Sequence, residues 1–264
     1  METLDIPLPQ LALLLGLCVM PWALLRLIGA GLSKDIVIGM LRMIVQLALV
    51  GIYIKTLFNL NNPWLNGLWI LIMLLVADLS ILKRAGLKAR YFALCTFTAV
   101  ATSILITTAY LVILVIQPQH FYDARYIVPL AGMILGNCMQ GNVIALERFY
   151  SALRKNQNEY TTYLVLGATR WEAVRPYFRE AIKAALNPTI AGMATMGLVS
   201  LPGMMTGQIL GGSEPLMAAK YQIAIMISIF ASTTLAAIVN LQLSLNIAFN
   251  AFDVLRDEVI EAPK

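Results

Sequence analysis

The chain has 264 residues, of which 59% are hydrophobic and only 12% charged. Soluble domains are about one quarter charged, so this composition excludes an ordinary soluble enzyme and indicates a membrane protein with several spans. The formal net charge of +5 does not point to nucleic acid, because the basic residues lie between apolar runs, where they set topology.

The first residues, Met1-Glu2-Thr3-Leu4-Asp5, lack the basic start of a cleavable signal. Apolar stretches near the roughly 20 residues needed to cross a bilayer follow at 8–28, 36–57, 64–82, 91–116, 126–146, 187–212 and 216–247. The expected fold is therefore all-α, a single polytopic transmembrane domain over residues 1–264 with about seven transmembrane helices. The first connection carries Arg26 and Lys34, the third carries Lys83, Arg84, Lys88 and Arg90, and the long fifth is rich in arginine. The alternate connections hold few basic residues. Basic loops stay inside, so the N-terminus is expected outside and the C-terminus in the cytoplasm.

Cys18, Cys95 and Cys138 fall within apolar runs and lack CxxC spacing, which reads as packing. Arg42 in the second span and Asp78 in the third stand at comparable depth on antiparallel helices, and an ion pair between them is expected. The loop after the fourth span holds the only histidine, His120, with Asp123 nearby. Two such groups are too few for a metal site, so it reads as a surface loop.

The fifth span carries Gly132 and Gly136, four apart, then Asn137, Gln140 and Asn142. Small residues at this spacing let helices approach closely, and amides in lipid are costly. Met133 lies one turn from Asn137, so that face is expected to pack on protein or line a cavity.

Residues 147–186 are amphipathic and basic, and read as a helix–turn–helix on the cytoplasmic face. Gly167 ends the first helix, and Thr169 with Glu172 three positions on forms a capping box for the second. Trp171, Ala173 and Val174 are expected to form an exposed apolar surface awaiting a partner. The sixth span then reads Gly-Leu-Val-Ser-Leu-Pro-Gly-Met-Met-Thr-Gly-Gln-Ile-Leu-Gly-Gly from Gly197. Pro202 removes a backbone donor inside an apolar stretch. Gly203, Gly207 and Gly211 share one face, and Met193, Met196, Met204 and Met205 place thioethers nearby.

No GxxxxGK[ST] phosphate loop, HExxH motif or nucleophile beside a base is present, so the chain is not expected to be an enzyme by itself. The stretch from Leu166 to Ala173, followed by Arg179-Glu180-Ala181, Leu186 and Pro188, resembles the coupling loop of ABC-transporter permeases. Pro129 to Asn137, Gly197 to Gly207, Pro215 and Lys220-Tyr221-Gln222 resemble the FetB-like permeases of bacterial inner membranes, linked to iron export and related to plant aluminium-tolerance proteins.

The resemblance implies a permease that pairs with a second copy of itself in the lipid bilayer and with a separate ATPase subunit. ATP and Mg would be bound there, and no cofactor by this chain. It implies export of iron or another metal. Leu166, Gly167, Ala168, Thr169, Arg170, Trp171 and Glu172 are then the ATPase-coupling residues. Pro202 and Gly203 are hinge candidates, with Gly207, Gly211, Gly132 and Gly136 as sliding faces. Met133, Asn137, Ser200, Met204 and Gln208 are pathway candidates; metal ligands stay unassigned. A gradient-driven transporter, a non-transporting membrane scaffold and export of a non-metal substrate such as a sugar nucleotide are the rival expectations.

Overall fold

The computed structural model describes residues 6–29 and 31–259, and all regular elements there are helical. In chain order they are α1 (Leu8–Leu17), α2 (Val19–Leu27), α3 (Ser33–Leu60), α4 (Pro63–Ala85) and α5 (Ala89–Ala109). A π-helical segment, Tyr110–Ile116, extends α5. Then come α6 (Ala124–Lys155), α7 (Gln157–Val165), α8 (Arg170–Thr195), α9 (Gly203–Leu210) and α10 (Pro215–Ala248), with a final 3-10 turn at Asp257–Val259.

Six helical segments among the described residues are long and apolar enough to cross a membrane: Pro9–Leu27, Ser33–Leu60, Pro63–Ala85, Ala89–Ile116, Ala124–Lys155 and Pro215–Ala248. The chain is a multi-pass all-α membrane protein. The stretch 187–212 differs from the continuous span expected of it. It is the end of α8, an irregular link over residues 196–202, and the short α9. The helix stops at Met196, whose backbone is extended, and Gly197 follows at φ +87°. Gly197 N–H then donates to Ser200 O at 2.9 Å. Pro202 therefore does not kink a helix: it is the extended residue just before α9.

α4, α5, α6 and α10 form the packed centre, with α8 laid along α6 and α9 on α10. By contrast α3 buries only Leu57, and α2 buries nothing. Local chemistry sets the ends of α4. Asn62 Oδ1 accepts from Trp64 N–H, Pro63 occupies the first turn, and Gly86 closes the helix at φ +68°. The loop before α6 is tied to this start: Asn61 Oδ1 accepts from Ala124 N–H, and Asn66 Nδ2 donates to Tyr122 O, both at 2.9 Å.

The centre is not purely apolar. Asn240 of α10 donates from Nδ2 to Asn142 Oδ1 of α6 at 3.0 Å, and accepts from Thr96 of α5 at 3.1 Å. Asn142 Nδ2 donates to Cys138 O at 2.9 Å. All four side chains are essentially excluded from solvent. A satisfied polar junction thus pins three spans to one register. Cys95 and Cys138 are buried free thiols at its edge, as packing residues are expected to be.

Three connections meet at one end of the bundle: the basic loop after α4, the α7–α8 turn, and residues 249–259. Lys88 N–H donates to Val259 O at 3.1 Å, and Arg170 pairs with Asp253 at 3.5 Å. We call this the basic end. The α8–α9 segment carries the chain from there to the opposite end, where α10 starts.

Candidate coupling turn and pathway residues

By length α6 exceeds what a span needs. α6 has 32 residues, about 48 Å at 1.5 Å per residue, against a hydrocarbon core of about 30 Å. Its last apolar stretch ends at Leu146, and Glu147, Arg148, Arg154 and Lys155 follow. Residues 147–155 reach about 13 Å further, and α7 begins only there.

The turn from α7 to α8 is tightly specified. Gly167 sits at φ +91°, its N–H donates to Leu164 O, and Ala168 N–H reaches back to Tyr163 O, each at 3.0 Å. These two bonds are the Schellman pair, which only a residue at ease with positive φ permits. Two residues on, the Thr169 side chain accepts from Glu172 N–H at 3.3 Å, while Glu172 Oε2 accepts from Thr169 N–H at 2.8 Å. The capping box expected from Thr169 and Glu172 is formed. Hydrogen bonds from the Thr169 side chain and backbone hold the Glu172 carboxyl below its ordinary value.

Helix periodicity then divides α8. Ala173, Val174, Tyr177, Phe178 and Ala181 are buried, and α8 lies along α6. This corrects the expectation that Ala173 and Val174 lie open. The exposed apolar groups are instead Val165 at 81%, Leu166 at 78% and Trp171 at 45%. Trp171 rests edge-on against Phe178, 5.3 Å between centroids. Behind the turn, the Tyr177 hydroxyl donates to Glu159 at 3.3 Å, and burial followed by the Glu159 charge pushes it up to about 12. It stays a donor at any physiological pH. Tyr160 does the same from the other side, donating to Asp253 O at 2.6 Å.

The pathway candidates lie on α6, on the link before α9 and on α9. Met133 is half-buried, and Gly136, Asn137 and Gln140 continue its face of α6 with Asn137 and Gln140 exposed. The Asn137 amide satisfies itself on Met133 O at 2.8 Å. Ser200 is exposed on the link, Met204 packs on the centre, and Gln208 is half-buried with an unpartnered Oε1. α9 packs chiefly on α10. A cavity of 630 Å³ lies elsewhere, between the π-helical end of α5 and α10, with Tyr110 and Lys220 among its lining.

Of the glycines, Gly136, Gly203 and Gly207 have open space where a Cβ would stand, and Gly132 faces only the Met73 methyl at 3.1 Å. Gly211 meets the carbonyls of its own helix end. The close approach within the protomer is made by Gly141, against Thr233 of α10. Arg42 and Asp78 do not pair. Arg42 is exposed on the loosely packed α3, whereas Asp78 is 4% exposed, with Oδ1 lacking a partner. The only ion pair among the described residues is Arg170–Asp253. Equal depth in sequence did not imply facing helix sides. No cluster of three or more His, Cys, Asp or Glu occurs among the described residues.

The sequence marked Asn142 as a costly amide but not its partner Asn240, and the C-terminal loop was not foreseen. Asn240 in an apolar span was the available signal for that partner, since amides in lipid require partners. Nothing in residues 249–259 marked the loop.

Residues 8–249 match the model of the uncharacterised protein family UPF0014. The chain is 40% identical over 225 residues to the UPF0014 membrane protein slr1647 of Synechocystis, covering 85% of this chain and 87% of the relative. It is 32% identical over 242 residues to the "Probable iron export permease protein FetB" of Escherichia coli, covering 92% of each. With the Arabidopsis protein ALUMINUM SENSITIVE 3 it shares 30% identity over 207 residues, 78% of this chain and 74% of the relative. No solved structure matches.

Proposed function

The chain belongs to the UPF0014 family of membrane proteins, and from that premise we propose that it is the membrane-spanning permease subunit of an ATP-driven exporter. The observation that carries this reading is the exposed Val165-Leu166 turn. It is capped on both sides, and it follows the polar, basic end of α6, past the last apolar stretch of that helix. Apolar side chains fixed in water on a stiff turn mark a protein-docking surface rather than a lipid contact. The partner is a separate ATPase subunit, and ATP and Mg belong to it.

The exposed face of α6 around Gly136 and Asn137 and the open glycines of α9 suit a second copy, which would enclose what a protomer leaves open. Ser200, Met204 and Gln208 belong to that enclosure, with the irregular link at Gly197 as the flexible joint. The basic end is then cytoplasmic, in a bacterial inner membrane. Iron, or another metal, is the cargo, a reading supported by the printed name of the Escherichia coli relative. The test is ATP hydrolysis by the chain in lipid with its ATPase, with and without Fe²⁺. Gly167→Pro forbids the left-handed turn and should abolish partner-stimulated hydrolysis. Stimulation by Fe²⁺ supports the cargo, and hydrolysis without any partner dependence overturns the reading.

One observation favours a gradient-driven transporter instead: Asp78 is a buried ionisable group inside α4 with an unpartnered oxygen. Transport that persists without any ATPase and is lost in Asp78→Asn would establish that second reading.

A further inference from the structure

Beyond α10 the chain folds into a small fastened loop. Phe249 and Leu255 pair in antiparallel register. Asn250 Oδ1 accepts from the N–H groups of Phe252 and Val254, both at 2.9 Å. Asp253 adopts a left-handed conformation at φ +58°, which aspartate tolerates better than most residues.

This loop grips the coupling turn from both sides. The Asp253 carbonyl accepts from Tyr160, before the turn, at 2.6 Å, and the Asp253 carboxylate pairs with Arg170, after it, at 3.5 Å. The Phe249 ring stands 5.7 Å from Tyr160 and 5.9 Å from the Arg170 guanidinium. Leu255 and Val259 are buried, and Val259 holds the loop after α4 through Lys88. Anchored at so many points, the loop nonetheless carries Phe252 at its tip, 84% exposed. Between the start of α8 and the last turns of α10, a 210 Å³ hollow is lined by Arg170, Trp171, Gln242, Leu245 and Asn246.

We propose that the C-terminal loop is the second half of the surface on which the ATPase subunit docks, with Phe252 as the contact and Asp253 as a positioning residue. The proposal rests on the permease reading above. A soluble partner is favoured over lipid because the loop is fastened to Tyr160 and Arg170, which follow the charged end of α6 at Glu147, Arg148, Arg154 and Lys155. The ATPase is favoured over another protein because one residue, Asp253, bonds both flanks of the turn. Phe252 and Leu166 therefore sit on one fastened unit. A consequence follows for transmission. The loop is the direct continuation of α10, so displacement of the turn reaches α10 and the α9 packed on it, as well as α6.

The test places the photo-crosslinker benzoylphenylalanine at Phe252 and, separately, at Leu166 of the full chain in its native membrane. Products are identified by mass spectrometry. Expected is the same ATP-binding-cassette ATPase at both positions. A crosslink from Leu166 to that ATPase, with none or only lipid from Phe252, overturns the proposal and leaves the permease reading intact. No ATPase from either position removes the permease reading, and the proposal with it. In parallel, Phe252→Ser, on an exposed side chain, should weaken ATPase binding about tenfold without moving the melting temperature. Asp253→Asn keeps a residue that tolerates the left-handed backbone and should lower the transport gained per ATP hydrolysed, with Asp253→Glu restoring it. Unchanged binding in Phe252→Ser, or an unchanged ratio in Asp253→Asn, counts against the proposal.

Discussion

Asn240 Nδ2 donates a hydrogen bond to Asn142 Oδ1 across the α6–α10 interface, at 3.0 Å and out of reach of water. Neither residue has a solvent alternative, because both lie in spans surrounded by apolar groups. The pair fixes the rotation of α10 against α6, and Thr96 extends it to α5 at 3.1 Å.

Asn240→Leu strands the Asn142 carbonyl oxygen and the Thr96 hydroxyl. We expect a loss of about 1–3 kcal/mol, the range for buried groups left unsatisfied. Adding Asn142→Leu should cost less than a second independent loss, because the coupling in such membrane pairs averages about 0.6 kcal/mol. Thermal unfolding of the two single variants and the double variant in detergent measures this. Strict additivity would show that the bond fixes nothing.

The glycines separate into two kinds. Gly141→Ala forces Thr233 aside and should destabilise the chain by about 1–3 kcal/mol, as overpacking does. Gly207→Ala meets nothing within 4 Å, so the protomer should keep its stability or gain up to about 1 kcal/mol of helix propensity. If a second copy packs there, the same change should weaken dimerisation and transport. Cysteine crosslinking between copies at Gly203 and Gly207, read beside melting curves, distinguishes the two effects.

The capping box predicts a pH dependence local to the turn. Glu172 titrates below its ordinary 4.5 in the folded chain because Thr169 hydrogen-bonds the ionised form. A carboxyl lowered by folding contributes stability that is full above its unfolded value and is lost as pH falls through the folded one. Order at residues 165–170 should therefore weaken on acidification below that value. Glu172→Gln should lack this step while keeping part of the cap. Fluorescence of Trp171, titrated in acid in a variant where the other tryptophans are replaced by Phe, follows this order. An identical titration in Glu172→Gln would remove the cap as its cause.

Arg42 and Asp78 should behave as strangers. Arg42 is exposed and Asp78 is buried on another helix. Arg42→Ala and Asp78→Asn should then add within about 0.5 kcal/mol in a stability cycle, as uncoupled sites do. A coupling well above that would mean that the two meet in the working protein.

The sequence determined the class and the local geometry. Apolar run lengths give the membrane spans, because a helix must bridge about 30 Å of hydrocarbon. Gly167, Thr169 and Glu172 give the turn, because Schellman and capping-box bonds join residues within five positions of one another. Everything that depends on which helix faces which was decided by tertiary structure alone. The sequence could not place Arg42 and Asp78 apart, since equal depth leaves rotation about each helix axis free. Nor could it tell that Gly141 is the close contact, because the four-residue spacing points to Gly132 and Gly136 and leaves Gly141 out. The link over residues 196–202 was legible as a break but not as a loop, since the backbone path there depends on what α10 and α9 leave open. The grip of Asp253 on Tyr160 and Arg170 spans 93 and 83 positions of chain. Only the return of α10 to the basic end brings those residues within bonding distance.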